Sequence, residues 1–285
     1  MHTNDMKGKI CLVTGATAGI GEAAALLLAK SGASVVGVGR NAAKIENTIN
    51  MIKEETGNPD VAFLKADLSS QKDIQELARQ FKDQYSRLDV LVNNAGATFE
   101  ERQESIDGIE MTFALNHLGY FLLTNLLIDL LEESVPARII NVSSSLHKMG
   151  KLDFQDIPFI NGYTRSKAYK RSKLANIAFT YELARRLSNQ IVTVNTMNPG
   201  LVATNVGNAA GGFTAKVKNI VDKIGGITPE EGAKTIIYLA SSPEVSGVTG
   251  RYFVKEKSIP SSKISYDLDF CRRLWEISES LTHLS

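Results

Sequence analysis

Ile10-Cys11-Leu12-Val13-Thr14-Gly15-Ala16-Thr17-Ala18-Gly19-Ile20-Gly21 runs from a short apolar, β-prone segment through a glycine turn into a helical stretch at 22–31. Strand, glycine turn and helix form the context that a dinucleotide site needs. Gly15 permits the tight turn, Gly19 lets backbone approach a pyrophosphate, and Gly21 lets the helix pack against the strand. Thr17, Ala18 and Ile20 complete the turn as candidate cofactor-binding positions. An ordinary βα turn can carry the same glycines, so position decides: this turn follows the first strand of an alternating chain.

That alternation predicts strands near 10–14, 34–38, 61–65, 90–93, 138–143, 191–197 and 252–254, with helices between them. Repeated crossovers of this length give an α/β fold: a doubly wound, parallel, seven-stranded sheet (a Rossmann fold) in a single domain spanning 1–285. Ligand is then expected across the carboxyl ends of the strands. Two stretches break the pattern: a polar insertion at 151–162, and 205–226, which contains Ala209-Ala210-Gly211-Gly212 and then an amphipathic piece. The second reads as a substrate lid or as a surface loop. A C-terminal extension occupies 255–285.

The second strand tip faces the adenosine ribose, where an acidic side chain would indicate NAD. Gly39 and Arg40 stand there instead, with Lys44 one helical turn beyond. The guanidinium suits a 2′-phosphate, so NADP (NADPH) is the expected cofactor and NAD the less favoured one. In the other reading Arg40 stacks on adenine or stays solvated.

Tyr169-Lys170-Arg171-Ser172-Lys173 sets a phenol and an ammonium one helical turn apart. A fixed cation nearby favours phenolate and would draw the phenol's pKa from about 10 towards neutrality, letting Tyr169 exchange a proton with a substrate oxygen. Tyr163-Thr164-Arg165-Ser166-Lys167 repeats the spacing six residues earlier, about 120° around a shared helix. Tyr169 is preferred, because an apolar helical stripe follows it whereas Tyr163 stands at the helix entrance after Asn161-Gly162. The run Ser143-Ser144-Ser145 precedes both pairs.

Composition narrows the function classes. The 285 residues carry a formal charge of +1, 43% hydrophobic and 22% charged residues, and dispersed Lys and Arg, which argues against nucleic-acid binding. Cys11 and Cys271 form neither a disulfide framework nor a metal set and fit a reducing compartment. The stretch 1–7 is polar and no run of eighteen apolar residues occurs, so a soluble, cytoplasmic protein without a membrane span is expected. His117 and His147 lack the partners of a metal site or triad, and no Gly-x-Ser-x-Gly elbow supports a hydrolase. Trp275 is expected to pack the C-terminal helix.

Taken in register, Thr14-Gly-x-x-x-Gly19-Ile20-Gly21, Asp67-Leu68, Asn93-Asn94-Ala95-Gly96, Asn116-His117-Leu118-Gly119, Asn141-Val142-Ser143-Ser144, Tyr169-x-x-x-Lys173 and Pro199-Gly200 resemble the short-chain dehydrogenase/reductase family over nearly the whole chain. Ser172-Lys173-Leu174-Ala175-Asn176, the long serine-to-tyrosine spacing and Arg273-Leu274-Trp275-Glu276 are most similar to its retinol-dehydrogenase and WW-domain-oxidoreductase branch.

The resemblance implies hydride transfer between a nicotinamide and a carbonyl or alcohol substrate, apolar and of medium size. Tyr169 corresponds to the general acid/base, Lys173 to the residue that lowers its pKa and holds the nicotinamide ribose, Ser144 to the group orienting the substrate oxygen, and Asn116 to the holder of a water relay. Ser144 is set apart from Ser143 and Ser145 because neighbours on a strand point to opposite faces. Asp67, with Leu68 beside it, matches the adenine contact, unless Asp67 is the N-cap of the following helix. Asn94, Ala95 and Gly96 match the turn lining the adenosine half, and Pro199, Gly200, Val202 and Thr204 the segment receiving the carboxamide and phosphate. Relatives form homodimers or homotetramers through helices equivalent to 113–131 and 173–187, whose apolar stripes here could equally be core. The rival reading is a sensor or scaffold that binds NADP without chemistry.

Overall fold

Seven largely apolar runs and one short polar segment become eight strands of one sheet in the computed structural model, which describes residues 5–187, 192–200 and 226–284. The strands are β1 Ile10–Thr14, β2 Ser34–Gly39, β3 Val61–Lys65, β4 Val90–Asn93, β5 Ala137–Val142, β6 Val192–Asn198, β7 Tyr252–Val254 and β8 Lys257–Ser258, in the order β3-β2-β1-β4-β5-β6-β7-β8. Pairing is parallel from β3 to β7 and antiparallel between β7 and β8. The direction of winding reverses between β1 and β4, so the crevice at their carboxyl ends is the expected ligand position.

The eighth strand departs from the seven expected. Lys255 and Glu256, at φ 49° and 63°, close a two-residue hairpin between β7 and β8. Turns with both central residues at positive φ normally advertise themselves by Asn or Gly; two charged residues do not.

Helices cover both faces, as a parallel sheet requires. Cys11, Val13, Val35, Val90, Val92 and Ile140 point to one side, into a core with α1 (Gly19–Lys30). Leu12, Val36, Leu91 and Ile139 point to the other, towards α3 (Gln71–Gln84), α5 (Gly119–Leu126) and α7 (Arg165–Arg186). Helix α2 (Ala42–Thr56) packs against α1, β2 and β3, and on β2 the ring of Phe63 overlies Gly37. Further on come α4 (Met111–Phe113), α6 (Ile128–Glu133), α8 (Pro229–Ser241) and α9 (Leu268–Thr282).

The C-terminal extension is packed down. Trp275 on α9 lies 4.9 Å from the ring of Phe121 and 5.8 Å from that of Phe179, with the Arg186 guanidinium 4.2 Å over it. Trp275 thus packs its helix as the sequence indicates, and the apolar stripes of α5 and α7 are buried within this chain: Phe121 is 0% and Phe179 2% exposed. Among the described residues no helix is long and apolar enough to cross a membrane. The expected lid at 205–226 lies, apart from Gly226, outside the described residues, as do Val202 and Thr204.

Candidate active site

The glycine turn is built as β1 and α1 dictate. Gly15 and Gly19 stand at φ 66° and 58°, a region side chains disfavour. Gly21 serves close approach: a Cβ there would fall 2.3 Å from the Gly15 carbonyl oxygen and 2.4 Å from Asn94 Nδ2. Asn94 is the brace of this turn, donating from Nδ2 to the Thr14 carbonyl at 2.8 Å and from its backbone to Thr14 Oγ1 at 2.8 Å; Ala95 N reaches the same hydroxyl at 3.1 Å. Helix α1 begins after Ala18, with no side chain capping it. Its first N–H groups and the positive end of its dipole are therefore available to an anion, which fits a dinucleotide's pyrophosphate.

At the β2 tip, Gly39 accommodates Thr17, whose Cγ2 would lie 2.6 Å from a Cβ at position 39. The exposed Arg40 reaches Asp67 Oδ2 at 3.4 Å, a loose pair that a more strongly charged anion can displace. Asp67 is held by Ser69, whose backbone N–H and hydroxyl donate to Oδ1 at 2.9 and 2.7 Å. Burial raises the Asp67 pKa, but Ser69 and Arg40 outweigh it and leave the carboxyl below its ordinary value. Asp67 is not the cap of α3; Ser70 is, accepting from Asp73 N. Leu68 turns into the core, 4% exposed.

Tyr169 and Lys173 share a face of α7, with Lys173 Nζ 5.6 Å from the Tyr169 ring centroid. The duplicate pair does not compete. Tyr163 precedes the N-cap Thr164 and donates its hydroxyl to the Phe99 carbonyl at 2.9 Å, while Lys167 donates to Gly162 O at 3.1 Å. The three serines also separate, though not by strand alternation, because β5 ends at Val142. Ser143 Oγ is buried and donates to Lys173 O at 2.8 Å, Ser145 is exposed, and Ser144, capping the 3-10 turn Ser145–Met149, lies near enough to the Tyr169 side chain to favour its ionised form.

The electrostatics differ from the simplest expectation. Burial raises the Tyr169 pKa above its ordinary value, and the Ser144 contact offsets only part of that. Lys173 is 3% exposed, and burial brings its pKa from 10.5 to about 7. At neutral pH Lys173 carries only a partial charge, and burial dominates the phenol's pKa. The pair is instead a neutral acid beside a base poised near working pH.

Behind the pair stands a polar lattice. Lys173 Nζ donates to the Val142 carbonyl at 3.0 Å, and Asn176, one turn along, donates to the Asn116 carbonyl at 2.9 Å. Asn116 lies in a π-helical turn, Ala114–Leu118, and clamps Ala97: Oδ1 accepts from its N–H at 2.9 Å and Nδ2 donates to its carbonyl at 3.0 Å. Gly96 is exposed between these groups; a Cβ there would come within 3.2 Å of Asn116 Oδ1 and 3.7 Å of Lys173 Nζ, a space suited to a ribose. Pro199 and Gly200 follow β6, with Gly200 at φ 96°.

Three residues hold positions for which the sequence assigned them no role. Asn176 sits at i+3 from Lys173, a spacing that could have flagged it. Arg171 is buried against Glu110 at 3.2 Å and donates to the Ile157 carbonyl at 3.1 Å, tying the insertion to α7. His147 touches the catalytic turn itself: its Nδ1 lies 2.7 Å from the Ser144 carbonyl. His117, by contrast, is a core histidine between Asn176 and Ser278, pushed to a pKa of about 3 by burial.

Residues 9–212 match the family model described as short chain dehydrogenase. Retinol dehydrogenase 14 of Homo sapiens is 42% identical over 295 residues, covering 98% of this chain and 88% of that protein. Among solved structures, a protein from Mycobacterium paratuberculosis superimposes with a TM-score of 0.80 at 27% identity, covering 99% of this chain and 96% of that one. A short chain dehydrogenase from Shigella flexneri, complexed with NADP, gives 0.66 at 26% identity, covering 90% and 100%.

Proposed function

The chain belongs to the short-chain dehydrogenase family, in its retinol dehydrogenase-like branch, and from that premise we propose that it is an NADP(H)-dependent reductase and dehydrogenase of apolar carbonyl and alcohol substrates. The observation that carries this reading is the convergence of Tyr169, Lys173 and Ser144 beside a glycine cradle, with Arg40 at the ribose end.

The cradle of Gly15, Gly19 and Gly21 would hold a nicotinamide dinucleotide, which would supply or accept the hydride. In the reducing direction Ser144 hydrogen-bonds the carbonyl oxygen and fixes its position. Tyr169, neutral because burial raises its pKa, donates its phenolic proton to that oxygen as charge develops. Lys173 then balances the phenolate; with a pKa of about 7 it can take up a proton from solvent and hold it at the site. Oxidation of an alcohol runs the same groups backwards.

The binding elements divide the cofactor between them. The α1 N-terminus receives the pyrophosphate, Asp67 the adenine, and Arg40 the 2′-phosphate. Solved structural neighbours complexed with NADP and NADPH support that choice. Initial rates with NADPH and NADH over a panel of aliphatic aldehydes and ketones test the proposal. Turnover with NADPH at least tenfold above NADH is expected; NADPH binding without turnover of any carbonyl or alcohol would favour a sensor.

A further inference from the structure

The C-terminal extension reaches the catalytic turn from outside the Rossmann core at the side chain of His147. His147 is 0% exposed, its ring 4.9 Å from that of Tyr252 in an edge-on contact. Ser262 N, which can only donate, lies 3.1 Å from Nε2; the Ser144 carbonyl, which can only accept, lies 2.7 Å from Nδ1. These two partners leave one protonation state: neutral imidazole with its hydrogen on Nδ1.

Each end of this bridge is anchored. Ser262 O accepts from Ser265 Oγ at 2.6 Å, Ser265 Oγ meets Ser261 Oγ at 2.7 Å, and Ser261 Oγ meets Tyr181 OH at 2.8 Å, so the extension is fastened to the helix that carries Tyr169 and Lys173. On the other side, the Ser144 carbonyl also accepts from His147 N at 3.1 Å while Ser144 Oγ accepts from Leu146 N at 3.2 Å. The backbone orientation of Ser144, and with it the aim of its hydroxyl, depends on this doubly held carbonyl.

We propose that His147 is a positioning residue for the hydride-transfer reaction: through Nδ1–H to Ser144 O and Nε2 to Ser262 N–H, it uses the C-terminal extension to hold Ser144 in register with Tyr169. The inference rests on the function proposed above. It assigns the extension a part in catalysis, beyond covering α7.

Asn and Gln separate the two halves of the bridge, since an Asn amide nitrogen reaches the Nδ1 position and a Gln amide oxygen the Nε2 position. With NADPH and decanal, His147→Gln should lower kcat by roughly 10- to 100-fold, the scale expected when a reacting group is misplaced by about 1 Å. KM and the NADPH dissociation constant should stay close to wild type, and His147→Asn, which restores the donor to Ser144 but not the link to Ser262, should recover kcat only in part, staying about 3- to 10-fold below wild type; a wild-type kcat in His147→Asn would remove the extension from catalysis. A wild-type kcat in His147→Gln, or equal losses of kcat and NADPH affinity in both variants, overturns the proposal. If the wild-type protein moves no hydride at all, the proposed function fails, and the bridge is then decided by imidazole ¹⁵N NMR: a protonated Nδ1 with a bare Nε2 supports it, and the opposite tautomer overturns it.

Discussion

Raising the pH should stabilise the ligand-free protein through Lys173. Its ammonium is buried with the Val142 carbonyl as a hydrogen-bond acceptor, and burial lowers its pKa from 10.5 to about 7. Below about pH 7 the folded and unfolded chains both hold the proton, so the full penalty of burying the charge is present. Between about 7 and 10.5 the folded protein has released a proton that the unfolded chain keeps; unfolding then takes up a proton and becomes harder as pH rises. At 1.36 kcal/mol per pKa unit the full swing is about 5 kcal/mol, of which about 2 kcal/mol falls between pH 7 and 9. Urea unfolding of wild type and Lys173→Met at several pH values isolates the effect, because every other titrating group is common to both. The wild-type curve should gain about 2 kcal/mol on the variant from pH 7 to 9 with unchanged m-values. Parallel curves would refute the buried, depressed lysine and the proton-holding role built on it.

Other consequences can be measured separately. Arg40→Ser removes the guanidinium but leaves Asp67, and should cut the preference for NADPH over NADH by about 10- to 100-fold, the worth of one or two charged hydrogen bonds; an unchanged ratio of kcat/KM values would place phosphate recognition elsewhere. His117 is neutral in the fold, with a pKa of about 3 against 6.5 in the open chain, so unfolding takes up a proton between those values and stability falls as pH drops through that window. His117→Gln should therefore lose less Tm than wild type between pH 7 and 4.5, and an equal loss would show that the histidine does not titrate this way.

Much of the fold was legible because parallel strands buried on both faces are continuous apolar runs. β1, β3, β4 and β7 lie at 10–14, 61–65, 90–93 and 252–254, the bounds that their apolar runs predict. The hairpin at Lys255-Glu256 was not legible, since positive φ at two charged residues leaves no mark in composition. Tyr169 and Lys173 were readable from helical spacing, and Gly15, Gly19 and Gly21 from the demands of a tight turn. Ser144 was set apart from its neighbours by strand alternation, but β5 ends at Val142, and the three serines part instead through their different local contacts. His147 was passed over because its partners are two backbone groups, one of them 115 residues away, and no motif encodes a backbone partner. The phenol's pKa was misjudged for a related reason: spacing reveals a neighbouring ammonium, whereas only the fold reveals that the ammonium is itself desolvated.

Single-turnover oxidation of bound NADPH by an aldehyde, in wild type and Tyr169→Phe, bears most directly on the chemistry. With the ring retained and only the hydroxyl removed, the variant should bind NADPH with nearly unchanged affinity while the hydride-transfer rate drops by at least about 10²-fold, the usual contribution of a positioned proton donor. A variant that oxidises NADPH at close to the wild-type rate would mean that the proton reaches the substrate oxygen from some other group.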